Sequence, residues 1–312
     1  MKIGIDISGG DFAPKANVLG AVLAKKQLPD HVQLVLFGDE KEIVNQLNSH
    51  AASKEDFEVV HAPEVITMND HPTRALPQKP NSSIVMGFEM LAKNEIQSFA
   101  STGNTGAMLV GAVYKVNAIP GIIRPCITSL LPIENGGNAL ILDVGANADC
   151  KPDVLYQFAI LGSLYAKNVL SIKNPRVALL NIGEEEAKGN LLTQSTYKIM
   201  DKSQDFNFIG NIEGRDLFSG KADVVVCDGF TGNVVLKQAE GFYSIMKQRG
   251  LEDEYFDRFN YENYGGTPIL GVNSDVIIGH GISNEIAVKN MLIHAHDVIE
   301  SGLTKKIKEA FN

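Results

Sequence analysis

The 312-residue sequence contains no tryptophan, three cysteines and fewer basic than acidic residues. With 7% aromatic residues and no tryptophan, it is poor in the rings that stack on single-stranded nucleic acids. A formal net charge of −9 also disfavours general nucleic-acid binding, and it requires any anionic ligand to meet a locally positive site. Cys126, Cys150 and Cys227 lack zinc or disulfide spacing, which favours buried thiols in a reducing cytosol.

Long apolar runs are also missing from the sequence. A membrane-spanning helix needs about 18 or more consecutive apolar residues, and no such stretch occurs. The opening "MKIGIDISGGD" has no apolar segment of the kind found in signal peptides. The sequence therefore predicts a cytoplasmic protein without a transmembrane helix.

What the sequence does contain is a repeated order of apolar strand, glycine-containing turn and helix. Examples are "KIGIDI" before "SGGDFAP", "VQLVLF" before "GDEKEIVNQL" and "RVALLNI" before "GEEEAKGN". Continuous apolar strands are typical of a parallel sheet that is buried on both faces. This alternation predicts a Rossmann-like α/β/α sandwich with a mostly parallel sheet.

Two regions interrupt this order. "PCITSLLPIENGGNALILD" places a Gly-Gly turn between two apolar runs, which predicts a β-hairpin, and we expect this hairpin to contribute to a dimer contact. Residues 62–81 contain four prolines and no clear period. A loop of this length is uncommon in a compact domain and is often functional. Two interpretations stay open: a lid or binding loop, and a surface loop without a function.

The glycine-rich turns follow the strands at the edge where parallel sheets bind ligands. Glycine lets the backbone approach a ligand, and the N–H groups of the following helix attract anions. The stretches "STGNTG" (101–106) and "DGFTGN" (228–233) are therefore predicted to be two anion cradles. The candidate phosphate and oxyanion ligands are Gly103, Asn104, Thr105, Gly106, Asn190, Gly229, Thr231 and Gly232. Any single turn of this kind is weak evidence, since tight strand-to-helix connections need glycine anyway.

The sequence contains little evidence for other catalytic or cofactor-binding motifs. The sequence lacks a G-x-S-x-G nucleophile elbow, and "GHGISN" carries Asn284 where a dinucleotide fingerprint has its third glycine. Cys227 ends a strand beside the 228–233 turn, but its neighbours favour a packing role over a reactive thiolate. No cluster has zinc spacing, so neither a metal nor a cofactor is expected.

Taken in order, the turns resemble those of the PlsX-type phosphate acyltransferases of bacterial phospholipid synthesis. The matching stretches include "SGGDFAP", "STGNTGAM", "LDVGANADCKPD", "PRVALLNIGEEEAKGN", "DVVVCDGFTGNVVLKQAEG" and "IIGHG", and they cover nearly the whole chain. The resemblance implies a homodimer of the isocitrate dehydrogenase and phosphotransacetylase fold group. It also implies the reaction of acyl-ACP with inorganic phosphate to give acyl phosphate and free acyl carrier protein (ACP).

The resemblance also implies partners and an organisation for the chain. Besides ACP, a glycerol-3-phosphate acyltransferase is expected as the downstream enzyme, together with weak peripheral membrane contact. Residues 1–312 are expected to form one acyltransferase unit with two subdomains, 1–118 plus 268–312 and 119–267, flanking a cleft.

Two departures from the family are visible. Ser8 replaces an expected methionine, and the segment after Lys237 is short and acidic, which puts membrane attachment through it in doubt. In that segment Leu251, Tyr255 and Phe259 are spaced as one helical stripe.

The residues suggest roles in such a reaction. Lys188 is expected to neutralise phosphate or the developing oxyanion, and Asn233 to donate a hydrogen bond. His280 is expected to protonate the departing thiolate, although a purely structural turn histidine is an equal alternative. Arg74 and Lys79 in the 62–81 loop are expected to contact phosphate or phosphopantetheine. Because ACP is acidic, a basic docking patch is expected at Lys237, Lys247, Arg249 and Arg258.

Three other functions remain open at this point. An acyltransferase that uses acyl-CoA would share the same turns. A metal- and NAD-dependent hydroxyacid dehydrogenase of the same fold group would need an acidic metal set. A non-catalytic protein that recruits lipid-synthesis enzymes would bind partners without turnover.

Overall fold

The computed structural model describes residues 1–311. Its strands are β1 (Lys2–Asp6), β2 (Gln33–Gly38), β3 (Glu58–His61), β4 (Ser98–Ser101), β5 (Cys126–Pro132), β6 (Asn138–Leu142), β7 (Arg176–Asn181), β8 (Asn207–Glu213), β9 (Val224–Val226), β10 (Gly266–Leu270) and β11 (Asp275–Gly279). Its α-helices are α1 (Lys15–Lys25), α2 (Glu40–Ser49), α3 (Pro72–Gln78), α4 (Ser83–Ala92), α5 (Thr105–Gly111), α6 (Pro152–Asn168), α7 (Leu191–Met200), α8 (Gly229–Gln248), α9 (Glu254–Asp257), α10 (Glu285–Ser301) and α11 (Leu303–Phe311).

The chain forms two compact units. The first contains Met1–Ala118 and Tyr261–Glu300, and the second contains Ile119–Asn260 and the described residues from Ser301 onward. From the sequence, the whole C-terminal segment from residue 268 was expected to belong to the first subdomain. The contacts group α11 with the second unit instead, because it packs on α6.

The first unit is a doubly wound sheet. Its strands lie in the order β3-β2-β1-β4-β11-β10, and neighbours are parallel except for the antiparallel pair β10–β11. The direction of winding reverses between β1 and β4. A reversal of this kind leaves a crevice beyond the carboxyl ends of the two strands, where α/β proteins bind ligands.

The second unit has the strand order β5-β6-β9-β7-β8. Strands β6, β9, β7 and β8 are parallel, whereas β5 and β6 form an antiparallel hairpin. The predicted mostly parallel α/β architecture and the hairpin are therefore confirmed. The use of the hairpin in a dimer contact stays a prediction.

The apolar strands form the cores of both units. Ile3 and Ile5 of β1 are completely buried, as are Val224 and Val226 of β9. Burial of whole apolar runs, instead of every second residue, is what a sheet covered on both faces requires. At about 25 cal/mol per Å² of apolar surface removed from water, these strands supply the main driving force for folding.

Two segments differ from the sequence prediction. The 62–81 loop contains the short helix α3, which begins with Pro72, a residue whose fixed φ suits the first helical position. Leu251, Tyr255 and Phe259 do not form the predicted stripe on one helix. Helix α8 ends at Gln248, and of the three residues only Tyr255 lies within the short helix α9. The Tyr255 and Phe259 rings still pack at 5.5 Å, but Leu251 is 52% exposed.

Within residues 1–311, no helix has both the length and the apolar character needed to cross a membrane.

Candidate active site

A pocket of about 390 Å³ opens in the second unit, beyond the carboxyl ends of β7 and β9. Its floor is apolar, and its rim carries amide, hydroxyl and carboxylate groups. The lining residues are Leu155, Leu179, Leu180, Asn181, Ile182, Gly189, Asn190, Thr193, Cys227, Asp228 and Thr231. The strand-end position is the one at which parallel sheets bind ligands.

Two helices begin at the rim of this pocket. Asn190 precedes α7 and accepts a hydrogen bond from the Thr193 N–H at 2.9 Å. Asp228 precedes α8 and accepts from the Thr231 N–H and from the Thr231 hydroxyl, both at 2.8 Å. These side chains satisfy N–H groups that helices leave unpaired at their first turn. The positive ends of two helix dipoles are thereby aimed at one cavity.

The loop at residues 182–190 is held in shape by three carboxamide side chains. Asn181 donates to the Lys188 carbonyl oxygen at 3.2 Å, and Asn211 donates to the Glu185 carbonyl oxygen at 3.0 Å. Gln194 donates to two further carbonyl oxygens of the loop, at 2.9 and 3.1 Å. Neutral amides thus satisfy loop carbonyls that have no partner in a helix or a strand.

Gly189 is the position in this loop that only glycine fits. Its φ of +91° lies in the left-handed region, and an added Cβ would stand 2.1 Å from Thr193 Oγ1 and 2.3 Å from Asn181 Oδ1. Glycine here therefore lets the chain turn between Lys188 and the pocket-lining Asn190.

Lys188 is the cation that this loop presents. The residue is exposed, and its aliphatic stem crosses Gly183, where an added Cβ would lie 2.8 Å from Lys188 Cγ. Within residues 1–311 we find no carboxylate within 4.0 Å of its ammonium group, whereas Lys221 in the same unit is paired with Glu184 at 2.5 Å. A cation without a protein counter-ion is available to an anionic ligand.

The turn after β6 packs against the first turn of α8. Asp143 is fully buried at this point and accepts hydrogen bonds from the backbone N–H groups of Ile127, Ala146 and Asn147. Burial raises the pKa of this carboxyl, and the hydrogen bonds only partly offset that effect. In turn, the Asn147 carbonyl oxygen accepts from the Gly229 N–H at 2.7 Å.

This packing corrects the role expected for the two glycines of the 228–233 turn. The Gly229 N–H was expected to face a ligand, but it is occupied by Asn147. The Gly232 N–H donates to the Asp228 carbonyl oxygen as part of the helix. An added Cβ on Gly232 would lie 2.0 Å from the Asp143 carbonyl oxygen, so these glycines allow close backbone packing.

Asn233 also supports this turn. Its Nδ2 atom donates to the Val144 carbonyl oxygen at 3.2 Å and stands 3.1 Å from the place where a Gly145 Cβ would be. The expected role of Asn233 as a donor to an oxyanion would compete with this contact. Of the predicted residues, Asn190 and Thr231 line the pocket, and Lys188 lies two residues before Asn190 on the same loop.

The thiol at the pocket floor is poorly suited to nucleophilic catalysis. Burial raises the pKa of Cys227 well above its usual value, and the Asp228 carboxylate adds to the effect. We expect iodoacetamide at pH 8 to leave Cys227 unmodified in the folded protein and to label it after unfolding in guanidinium, as measured by mass spectrometry. Cys227→Ala should then remain active. Rapid labelling of native Cys227 with loss of activity would restore the covalent alternative.

A second cluster of turns lies in the first unit, at the winding reversal between β1 and β4. The Asp11 N–H donates to the Gly281 carbonyl oxygen at 2.7 Å, and the Thr102 hydroxyl donates to the Gly9 carbonyl oxygen at 2.9 Å. The turns at 8–11, 101–106 and 280–284 therefore meet. Beneath them Asp6, 1% exposed, accepts from the Ser101 hydroxyl, and burial raises its pKa.

Within this cluster Asn104 is committed to the fold. Its Oδ1 atom accepts from the Ala107 N–H, and its Nδ2 atom donates to the carbonyl oxygens of Thr67 and Asp70, each at 3.0 Å. The Gly103 N–H donates to the Ser101 hydroxyl at 2.9 Å. An added Cβ on Gly106 would stand 2.5 Å from Pro72. Thr105 is exposed.

The remaining predicted residues of the first unit differ in their surroundings. Lys79 is paired with Asp70 at 2.6 Å and donates to the Val65 carbonyl oxygen, so it braces its own loop. The hydrogen bond from Lys79 lowers the pKa of Asp70. Arg74 is exposed. The His280 ring packs on the Tyr261 ring, with centroids 5.1 Å apart.

The expected basic patch is largely engaged within the protein. Lys237 is paired with Glu240 at 2.8 Å, and Lys247 with Asp257 at 3.1 Å. Arg258 donates to the Ile133 carbonyl oxygen at 3.0 Å and also to the Gly137 carbonyl oxygen, which fastens it to the turn of the β5–β6 hairpin. Arg249 is the exposed member of the patch.

Residues that were not predicted from the sequence shape the site from beneath. Asp6, Asp143 and Asn181 each stand at the carboxyl end of a buried strand, and each holds the turn that follows. Their position in the sequence, as polar residues at the end of an apolar run, could have indicated this role. Asn211 lies more than twenty residues from the loop in sequence, and neither it nor the nearby Gln194 carried a signal of its contacts.

Solved structures define the class of fold. The chain superposes on a phosphotransacetylase from Streptococcus pyogenes with a TM-score of 0.68 and 16% identity, covering 96% of this chain and 94% of that one. A branched-chain phosphotransacylase from Enterococcus faecalis gives a TM-score of 0.63 and 14% identity, covering 95% of this chain and 98% of that one. The fold is thus that of the phosphotransacetylases.

Sequence comparison is more specific. A family model described as "Fatty acid synthesis protein" matches residues 1–306. Proteins named phosphate acyltransferase from Halothermothrix orenii and Dictyoglomus turgidum are each 42% identical, with 100% of this chain covered and 99% and 98% of theirs. The chain belongs to this fatty acid synthesis protein family, as the resemblance predicted, and is an acyltransferase.

Proposed function

We propose that this protein transfers a fatty acyl group from acyl-ACP to inorganic phosphate, giving acyl phosphate and free ACP for phospholipid synthesis. The observation that carries the proposal is the pocket in the second unit. It combines apolar residues with polar ones from the 182–190 loop, and Lys188 of the same loop is a cation that no described carboxylate neutralises. The names of the relatives, phosphate acyltransferase, agree with phosphate as the acceptor.

In the proposed reaction a phosphate oxygen attacks the thioester carbonyl carbon. A C–O bond forms, the C–S bond breaks, and the thiolate leaves with its electron pair and takes the proton that hydrogen phosphate loses. Phosphate is itself the nucleophile, so the protein has to hold the reactants and stabilise the negative charge on the tetrahedral intermediate. Lys188 supplies a positive charge that offsets this negative charge, and α7 and α8 add the positive ends of their helix dipoles.

The apolar floor adds a second contribution. Leu155, Leu179 and Leu180 lie below the rim, where they keep water away from the reacting groups. Exclusion of water matters because water competes with phosphate for the thioester.

Purified protein mixed with long-chain acyl-ACP and phosphate tests the proposal directly. We expect acyl phosphate to form, detected as hydroxylamine-trapped hydroxamate and by mass spectrometry, and to depend on added phosphate. A parallel reaction with acyl-CoA identifies the donor. Turnover with acyl-CoA but not with acyl-ACP would assign the protein to the other donor class, and release of free acid alone would contradict phosphate transfer.

Docking of the acidic carrier protein is proposed to use the exposed face near Arg249, together with Lys237 and Lys247 when their surface ion pairs exchange. Surface pairs of this kind contribute only about 0–1 kcal/mol, so an acidic partner can replace them. We expect KM for acyl-ACP to rise between low and high salt, because salt screens such contacts. A KM that stays constant with salt would contradict this docking surface.

The assembly and cellular setting are also proposals. We propose a homodimer in the cytoplasm, with the β5–β6 hairpin in the dimer contact, weak peripheral contact with membranes and a glycerol-3-phosphate acyltransferase as the enzyme that consumes acyl phosphate. Light scattering on the purified protein would test the dimer, and vesicle flotation would test membrane contact.

A further inference from the structure

We propose that His31, His296 and Glu300, on the surface of the first unit and remote in sequence from the turns described above, form a binding site for a zinc ion. One ligand atom from each of the three side chains lies within 4.8 Å of the other two. Two imidazoles and one carboxylate are a donor set that zinc binds in proteins. The term zinc cluster is used below for these three residues.

The zinc cluster joins two segments that are far apart in the chain. His296 and Glu300 are four residues apart on α10, so both project from the same face of the helix in its last turns. His31 lies in the turn between α1 and β2. Hydrogen bonds brace this turn, from the Val32 N–H to the Pro29 carbonyl oxygen at 2.9 Å and from the Met1 ammonium to the His31 carbonyl oxygen at 3.3 Å.

A neighbouring carboxylate orients one of the proposed ligands. His296 Nδ1 lies 3.1 Å from Asp297 Oδ1. A hydrogen bond from Nδ1–H to this carboxylate fixes the tautomer in which Nε2 carries the lone pair. Carboxylate–histidine pairs of this type support zinc ligands in proteins and raise the basicity of the coordinating nitrogen.

The geometry allows closure without movement of the backbone. Tetrahedral ligands at about 2.0–2.1 Å from zinc are separated from one another by about 3.3 Å. The three donor atoms are already within 4.8 Å, and His31 and Glu300 are exposed, so rotation of their side chains closes the difference. Water would occupy the fourth position.

The donor set favours zinc over the alkaline-earth cations. Calcium and magnesium take mainly oxygen ligands, of which the zinc cluster offers one carboxylate. Imidazole nitrogen suits zinc, nickel and copper. The bound ion would tie the end of α10 to the α1–β2 turn and act as a structural clamp within the first unit.

Calorimetric titration of the full-length, chelator-treated protein with zinc chloride tests the site. We expect one zinc ion per chain, with a rise in Tm on binding, because an ion that binds only the folded state stabilises it. His31→Gln and Glu300→Gln are each expected to abolish this binding and the rise in Tm. His71→Gln, which changes an exposed histidine elsewhere in the unit, is the matched control and is expected to bind zinc like the wild type.

Asp297→Asn provides a graded variant. Loss of the supporting carboxylate is expected to lower zinc affinity about 10–100-fold without abolishing binding. Cobalt(II), read by the visible absorption of its tetrahedral complexes, reports the coordination directly. Wild-type affinity in both His31→Gln and Glu300→Gln, or no saturable binding in the wild type, would overturn the proposal. Circular dichroism in EDTA establishes that each variant is folded.

Discussion

Lys188→Ala is expected to lower the kcat/KM for acyl phosphate formation by about 10²–10³-fold, the size of effect typical for removal of one group that stabilises an oxyanion. The side chain lies on the surface, and its ammonium has no ion-pair partner among the described residues, so its removal should leave the free energy of unfolding nearly unchanged. Initial rates at varied phosphate, together with urea unfolding curves, measure the two quantities separately.

Lys173→Ala is the matched control for this variant. Lys173 is another exposed lysine of the second unit, and it is not among the residues that line the pocket. It is expected to keep wild-type rates. Comparable losses in the two variants would mean that the general charge of the surface, and not the position of Lys188, determines activity.

Gly232→Ala is expected to reduce the free energy of unfolding by about 1–3 kcal/mol, the usual cost of inserting a methyl group into a packed interior. The added Cβ would lie 2.0 Å from the Asp143 carbonyl oxygen and 2.9 Å from Cys227 Sγ. Backbone atoms on one side cannot rotate away, so the helix start has to move. Urea unfolding followed by circular dichroism gives the change in midpoint.

Gly241→Ala is the opposite case in the same helix. An added Cβ at Gly241 meets nothing within 4 Å, and alanine is favoured over glycine in a helix interior by about 0.5–1 kcal/mol. This variant is expected to be slightly more stable than the wild type. If both variants shifted the midpoint in the same direction, close packing at Gly232 would not be the reason for the glycine.

The sequence predicted those structural elements that are determined by residues close together in the chain. Apolar runs such as "VQLVLF" predicted buried parallel strands, and "IENGGN" predicted the turn of an antiparallel hairpin. The sequence placed Asp228 between a strand and a helix, and in the structure it caps the N-terminus of α8, a position that aspartate favours. Each of these features depends on neighbours within a few residues.

Features that depend on distant residues were not predictable in this way. Gly229 and Gly232 look like anion-binding glycines in the sequence, but the Asp143 turn that packs against them is some 85 residues earlier, so their structural role was not visible. Lys79 and Arg258 carried positive charge suited to a ligand. Their engagement with Asp70 and with the hairpin carbonyl oxygens appears only when the fold brings these groups together.

The three amides that hold the 182–190 loop have a consequence for how the enzyme responds to its medium. Carboxamides neither gain nor lose protons in water, and neutral hydrogen bonds are little affected by dissolved ions. The amide contacts of this loop should therefore persist in acidic and alkaline buffers and at any physiological ionic strength, whereas the Glu184–Lys221 ion pair at its start responds to both variables. Changes in turnover with these variables would then report on the ionisation of phosphate and on charge–charge contacts, that ion pair included, and not on loss of the amide contacts.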